Sequence, residues 1–100
     1  MIKMNKISEL RIDTVNAEKI IKKLTNHWRH KMAIEQYNDT FKIPFSKEIN
    51  VFLTAYPDHL AAKVESENHE QLIETENVVL SHLNRMAQQE FAATWIRLES

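Results

Sequence analysis

Polar and apolar residues alternate in the first regular segment of the chain, Glu9–Val15, and this spacing is typical of a β-strand with one buried face. The pattern changes at Ala17, where apolar residues begin to recur every three or four positions, at Ile20, Ile21, Leu24 and Trp28. Asn16 is a suitable helix N-cap. The sequence therefore predicts a strand followed by an amphipathic helix from Ala17 to about His30.

Four short apolar runs follow this helix and are separated by turn residues. Asn38-Asp39 lies between the first two runs, and Pro57-Asp58 precedes the fourth. Because a proline nitrogen cannot donate to a strand ladder, we expect the strand that contains Pro44 to lie at a sheet edge or to end there. The predicted strands are Ile34–Tyr37, Phe41–Phe45, Ile49–Tyr56 and Leu60–Ser66.

A second amphipathic helix is predicted after Asn68, which forms a capping-box pattern with Gln71. Its apolar stripe consists of Leu72, Val79, Leu80, Leu83, Met86 and Ala87. A last alternating segment, Phe91–Leu98, predicts a closing strand.

The predicted element order is β-α-β-β-β-β-α-β. Short connections between strands favour an antiparallel sheet, and both helices must cover one face of it to bury their stripes. We therefore predict a single two-layer α+β domain over residues 1–100, with a helix-grip or TATA-binding-protein-like fold. Ferredoxin-like packing is the alternative.

The composition narrows the possible chemistry, because the chain has no glycine and no cysteine. Glycine-dependent phosphate loops, nucleophile elbows, disulfides and thiolate metal sites are excluded. With 13 basic and 14 acidic residues, the chain lacks the basic excess of a nucleic-acid-binding domain, so we predict no nucleic-acid partner. No apolar run is long enough for a membrane span or a signal peptide, so we expect no membrane partner and a cytoplasmic location.

Helical phase places several polar side chains beside the buried stripes. Measured as rotation about the axis of the first helix, His27 lies about 60° and Lys31 about 20° from Leu24 at the centre of the buried face, whereas His30 lies about 120° from it. In the second helix, His82 is at the edge of the stripe and Glu76 falls inside it. A buried glutamate needs a cation or a donor, and Lys31 or His27 is the expected partner. Such a pair is structural unless His27, Glu76 and His82 converge, in which case they could bind a metal or an acidic ligand or donate protons.

The chain resembles a bacterial family of small proteins of unknown function. The resemblance rests on an N-terminal strand and the following motifs: A-E-x-x-I-K-x-L at 17–24, H-W-x-H-K at 27–31, I-P-F at 43–45, E-N-V-V-x-S-H-L-x-R-M at 76–86, and a final strand with Trp95. In some bacteria such a domain is fused to, or encoded beside, siderophore-interacting flavoproteins that reduce ferric siderophores. The resemblance therefore implies a role in iron or siderophore utilisation, with a flavin reductase of this kind as partner.

We expect from these patterns a non-catalytic binding domain with iron or haem as the possible cofactor and with His27 and His82 as the metal ligands, if a metal is bound. The expected ligand site consists of His27, Trp28, His30, Lys31, Glu76, His82 and Arg85. The alternative is a protein-interaction module that forms a homodimer or docks onto a reductase through its sheet and has no ligand site. A small enzyme with a histidine general base is a third hypothesis, for which the sequence offers no nucleophile.

Overall fold

The chain forms an antiparallel six-stranded sheet with two helices on one of its faces, in a computed structural model that describes residues 6–98. This confirms the predicted α+β class and element order. The elements are β1 (Lys6–Asp13), α1 (Ala17–Trp28), β2 (Glu35–Tyr37), β3 (Thr40–Ser46), β4 (Ile49–Ala55), β5 (His59–Ser66), α2 (His69–Ala87) and β6 (Ile96–Leu98).

The strands follow the spatial order β2-β3-β4-β5-β1-β6, so the first and last strands of the chain are neighbours. Every second residue of β1, β4 and β5 is buried against the helices, which is the alternation expected of a sheet covered on one face. The core between sheet and helices includes the fully buried Leu24, Val51, Leu60, Val64, Val79 and Leu83. The opposite face of the sheet carries the intervening residues, and no helix within residues 6–98 covers it.

The closing strand is shorter than predicted. Only Ile96–Leu98 pairs with β1, and the predicted strand over Phe91–Trp95 is wrong. Phe91, Ala93 and Trp95 pack against the core from an irregular segment, and the Phe91 amide donates to the Asn84 side chain. When every second side chain of an extended connection packs against the core, the sequence alternates as it does in a strand.

Two element ends also differ from the prediction. The first helix ends at Trp28 rather than at His30, and β1 runs from Lys6 to Asp13 rather than from Glu9 to Val15. The expectation that the strand containing Pro44 lies at a sheet edge or ends there is wrong, because β3 lies between β2 and β4 and continues to Ser46. The proline is tolerated because β2 pairs with residues 40–42 and not with Pro44, and because the β3–β4 register shifts between Pro44 and Ser46.

Two non-glycine residues adopt the left-handed conformation that glycine usually provides. Asn38 has φ 54° in the β2–β3 turn, as the Asn38-Asp39 pair predicted. Gln88 has φ 55° immediately after α2, and its amide donates to the carbonyls of Arg85 and Asn84. The second position was missed, because glutamine is an unusual choice for a helix C-terminus.

Candidate functional site

Glu76 is buried and fully engaged by partners from the sheet. Its side chain is only 4% exposed. Ser8 donates its hydroxyl to Oε2. Arg97 forms a two-pronged contact, with Nε 3.0 Å from Oε2 and Nη2 2.8 Å from Oε1. The expectation that Lys31 or His27 would be the partner is therefore wrong.

Strand pairing explains why Arg97 reaches this carboxylate. Arg97 lies opposite Ser8 in the β6–β1 register, so its side chain is on the helix-covered side of the sheet, whereas Ile96 and Leu98 are on the other side. The hydrogen bond from Arg97 to Glu76 and the carboxylate charge both raise the pKa of Arg97. The stability gained from the charged guanidinium is present below its ordinary pKa and is lost only as pH rises through the raised value. The guanidinium is thus charged at neutral pH.

Neither partner of Glu76 was predicted from the sequence, although the sequence contains a signal for Arg97. Arg97 is one of only three basic residues in the second half of the chain, and it alternates with Ile96 and Leu98 in a predicted strand. A cation on the inward side of a strand needs an acid, just as an inward glutamate needs a cation. No such charge pattern in the sequence identifies Ser8, the residue of β1 whose hydroxyl donates to Glu76.

His27 and His82 approach each other where the ends of α1 and α2 meet. Their ring centroids are 5.7 Å apart with an interplanar angle of 44°. The His82 ring also lies 5.1 Å from the Trp28 ring, which in turn packs edge-on against Phe45 at 5.0 Å. Trp28 is buried, so it provides a fixed support below the His82 ring. Two of the three residues whose convergence the sequence left open, His27 and His82, are therefore neighbours.

The orientation of His82 is set by a hydrogen bond within its own helix. Its Nδ1 lies 2.7 Å from the carbonyl oxygen of Val78, one turn earlier. Because a carbonyl can only accept, Nδ1 carries the proton, and Nε2 of the neutral ring keeps a lone pair. The ring is thus in the tautomer that could bind a metal or accept a proton through Nε2.

Glu76 does not belong to this histidine pair. It lies six residues before His82, which corresponds to about 9 Å along the helix axis. Both its carboxylate oxygens are occupied by Ser8 and Arg97. Within residues 6–98, no three histidine, cysteine, aspartate or glutamate side chains are grouped so that they could hold one metal ion. The arrangement offers two imidazoles and no third protein ligand from this part of the chain.

The other candidate residues, His30, Lys31 and Arg85, are exposed. Arg85 follows His82 by three residues and so lies on a neighbouring position of the same helix. His30 and Lys31 come directly after the end of α1, close in sequence to His27. These three residues are therefore close in sequence to one or other member of the histidine pair.

Neither helix in the described part of the chain combines the length and the apolar character needed to cross a bilayer.

The chain is similar to PA4090 from Pseudomonas aeruginosa, a protein whose structure was solved by NMR. The two sequences are 32% identical, the match covers 94% of this chain and 98% of the other, and the TM-score is 0.80. That protein has the same fold. Among curated proteins, none matches.

A family model described as an uncharacterized protein conserved in bacteria (DUF2218) matches residues 9–95. The matched segment contains every candidate site residue named above. The chain therefore belongs to this family of uncharacterized bacterial proteins.

Proposed function

We propose that this chain is a small accessory binding domain in which His27 and His82 hold a divalent transition-metal ion. The observation that supports this is the geometry of the pair: two rings 5.7 Å apart, one of them fixed with Nδ1 on the Val78 carbonyl. Proteins usually orient a metal-binding histidine through a hydrogen bond made by the ring nitrogen that does not bind the metal.

Imidazole is a ligand that suits zinc, copper, nickel and iron. Metal to nitrogen distances in such sites are about 2.0–2.1 Å, so two rings at this separation can share one ion between them. Two ligands leave several coordination positions for water or for an exogenous chelator. The nearby basic residues His30, Lys31 and Arg85 would attract the anionic part of such a chelate.

The association with siderophore-interacting flavoproteins comes from the family resemblance, and it suggests iron as the ion. Siderophore oxygens prefer ferric iron, whereas imidazole is better suited to the ferrous ion that a flavin reductase releases. The domain would then act in the cytoplasm beside such a reductase and accept iron after reduction. Glu76 has a structural role in this proposal and takes no part in binding.

Calorimetric titration of the protein with Ni²⁺, Zn²⁺ and, without oxygen, Fe²⁺ tests the proposal. We expect one ion per chain, and binding at least about tenfold weaker in His27→Ala and in His82→Ala. The matched control is His69→Ala, which removes an exposed histidine from the opposite end of α2 and should bind normally.

Ferric siderophore and haem serve as further probes, followed by their absorption spectra. Retained circular dichroism shows that each variant is folded. Equal metal binding by wild type and both alanine variants would overturn the assignment of the pair. Absence of heat and of spectral change with every probe would reject the binding function and leave the interaction module predicted from the sequence.

A further inference from the structure

The open face of the sheet contains a groove of about 440 Å³, on the side of the sheet opposite the helices. Its floor is a row of cross-strand partners from β3, β4, β5 and β1: Thr40 pairs with Thr54, Thr54 with Ala61, and Ala61 with Arg11. Three of these four side chains are small. The hydroxyls of Thr40 and Thr54 lie 2.8 Å apart, so the floor also offers polar atoms.

Aromatic side chains form both walls of this groove, because the residues two positions away from the floor are large. On one side, the rings of Tyr56 and His59 are stacked, with centroids 4.4 Å apart and an interplanar angle of 9°. On the other side, the Lys63 ammonium lies 4.8 Å from the centre of the Phe52 ring. A flat aromatic molecule between these walls would contact ring faces and edges on both sides.

Arg11 closes one end of the groove with a partly free guanidinium. Its Nε is 3.0 Å from Asp13, and no other hydrogen bond within residues 6–98 engages this side chain. Its two Nη groups are therefore available for a two-pronged contact with a carboxylate. Lys63 is a second cation in the lining, but it lies 3.6 Å from the Glu65 carboxylate, and Glu9 is an acid in the lining. The free Nη donors of Arg11 are therefore the group that an anionic ligand would contact.

We propose that the groove binds a small planar aromatic carboxylate. The ring would lie over Ala61 and Thr54 between the two walls, with its carboxylate on Arg11. The volume is within the range of about 300–1,000 Å³ that is usual for small-molecule sites. A second copy of the chain placed flat on this face would leave the depression unfilled, which makes that occupant less favourable. The groove shares no residue with the histidine pair, so each proposal can fail without the other.

The test is an NMR titration of ¹⁵N-labelled protein with 2-naphthoate as the probe, at millimolar concentration. We expect saturable shifts of the amides of Thr54, Ala61 and His59. Arg11→Gln should weaken binding about tenfold, as loss of a charged hydrogen-bonding partner predicts. The neutral analogue 2-naphthamide should also bind more weakly. Arg29→Gln is the matched control, because it makes the same change on the helix side and should leave the affinity unchanged.

Filling the floor provides a second variant. Ala61→Leu is expected to abolish the shifts while the dispersion of the free spectrum stays that of a folded protein. If this variant does not fold, the Arg11→Gln and Arg29→Gln pair decides. Absence of saturable shifts, equal affinity for 2-naphthamide, or equal loss in both arginine variants would overturn the proposal. Shifts that depend on protein concentration over the whole open face, together with diffusion of the free protein that slows as its concentration rises, would identify a dimer interface and also overturn the proposal.

Discussion

Two polar side chains of α2, Glu76 and His82, were expected to act together and instead have opposite surroundings. Glu76 is 4% exposed and accepts hydrogen bonds from Ser8 and Arg97. His82 is half-buried beside Trp28 and His27, and only one of its two ring nitrogens has a partner within the described residues. Helical phase places Glu76 inside the apolar stripe and His82 at its edge, but it does not show which partners either side chain meets.

The two side chains differ in whether their polar atoms all have hydrogen-bonding partners. A buried carboxylate is tolerated only when charge and lone pairs are satisfied, and a group in that state has little left to offer a ligand. A ring held by one nitrogen while the other stays open is oriented and still reactive. The Glu76–Arg97 pair therefore acts as a structural contact, and the open ring nitrogen of His82 beside His27 is the feature on which the proposed metal site rests.

The largest expected effect comes from removing the partner of the buried carboxylate. Arg97→Ala leaves Glu76 with Ser8 alone in the core, so β6 should detach and the protein should lose much of its stability. We expect the midpoint of thermal unfolding to fall by at least about 8 °C. Circular dichroism during heating measures this.

Two further variants show whether the loss comes from the buried charge. Arg11→Ala breaks an ion pair with Asp13 in which both side chains are more than half exposed, and the midpoint should change by less than about 2 °C. The double change of Glu76→Leu with Arg97→Met removes both charges and should recover most of the stability. Similar losses in Arg97→Ala and Arg11→Ala would show that the two surroundings do not differ as described.

The fold was predictable from the sequence because each periodic segment buries one face. The alternation over β1, β4 and β5 and the stripes of both helices specify the layers, and Asn38 marks its turn. The candidate site was only partly predictable. Helical phase identified which side chains border the stripes, but the partner of each depends on strand order. Because β6 adds to the sheet beside β1, Arg97 reaches Glu76 from 21 residues away.

Metal should stabilise the protein through His27 and His82 if these rings have remaining binding capacity. At a free Ni²⁺ concentration a hundredfold above its dissociation constant, we expect about 2.7 kcal/mol of added stability. Thermal unfolding with and without Ni²⁺ measures it. His82→Ala should lose this increment, whereas His69→Ala should keep it. An increment that persists in His82→Ala would place the ion elsewhere.

Acid should weaken the metal-dependent increment in stability. Protons compete with a metal ion for the imidazole nitrogens, so the increment should become smaller when the protein is measured at successively lower pH, from about pH 8 to about pH 5. Unfolding curves at several pH values, with Ni²⁺ and with a chelator, separate this loss from any change in the metal-free protein. An increment that is constant over this range would contradict histidine ligation.

The smallest effect is expected at a pair whose carboxylate is exposed rather than buried, Asp58 with His59. The hydrogen bond from His59, 2.7 Å from the carboxylate, holds the pKa of Asp58 below its ordinary value of 3.8. A lowered pKa contributes stability above the ordinary value that is lost as pH falls through the lowered one. His59→Phe retains a ring beside Tyr56 but removes the hydrogen bond, so the pKa of Asp58, measured by carboxyl ¹³C NMR, should move up towards 3.8.

The unfolding midpoint of the His59→Phe variant at pH 7 should hardly change, because water replaces the lost partner of an exposed carboxylate, as it cannot for Glu76. A large fall in that midpoint would mean that exposure does not determine which of the two ion pairs supports the fold.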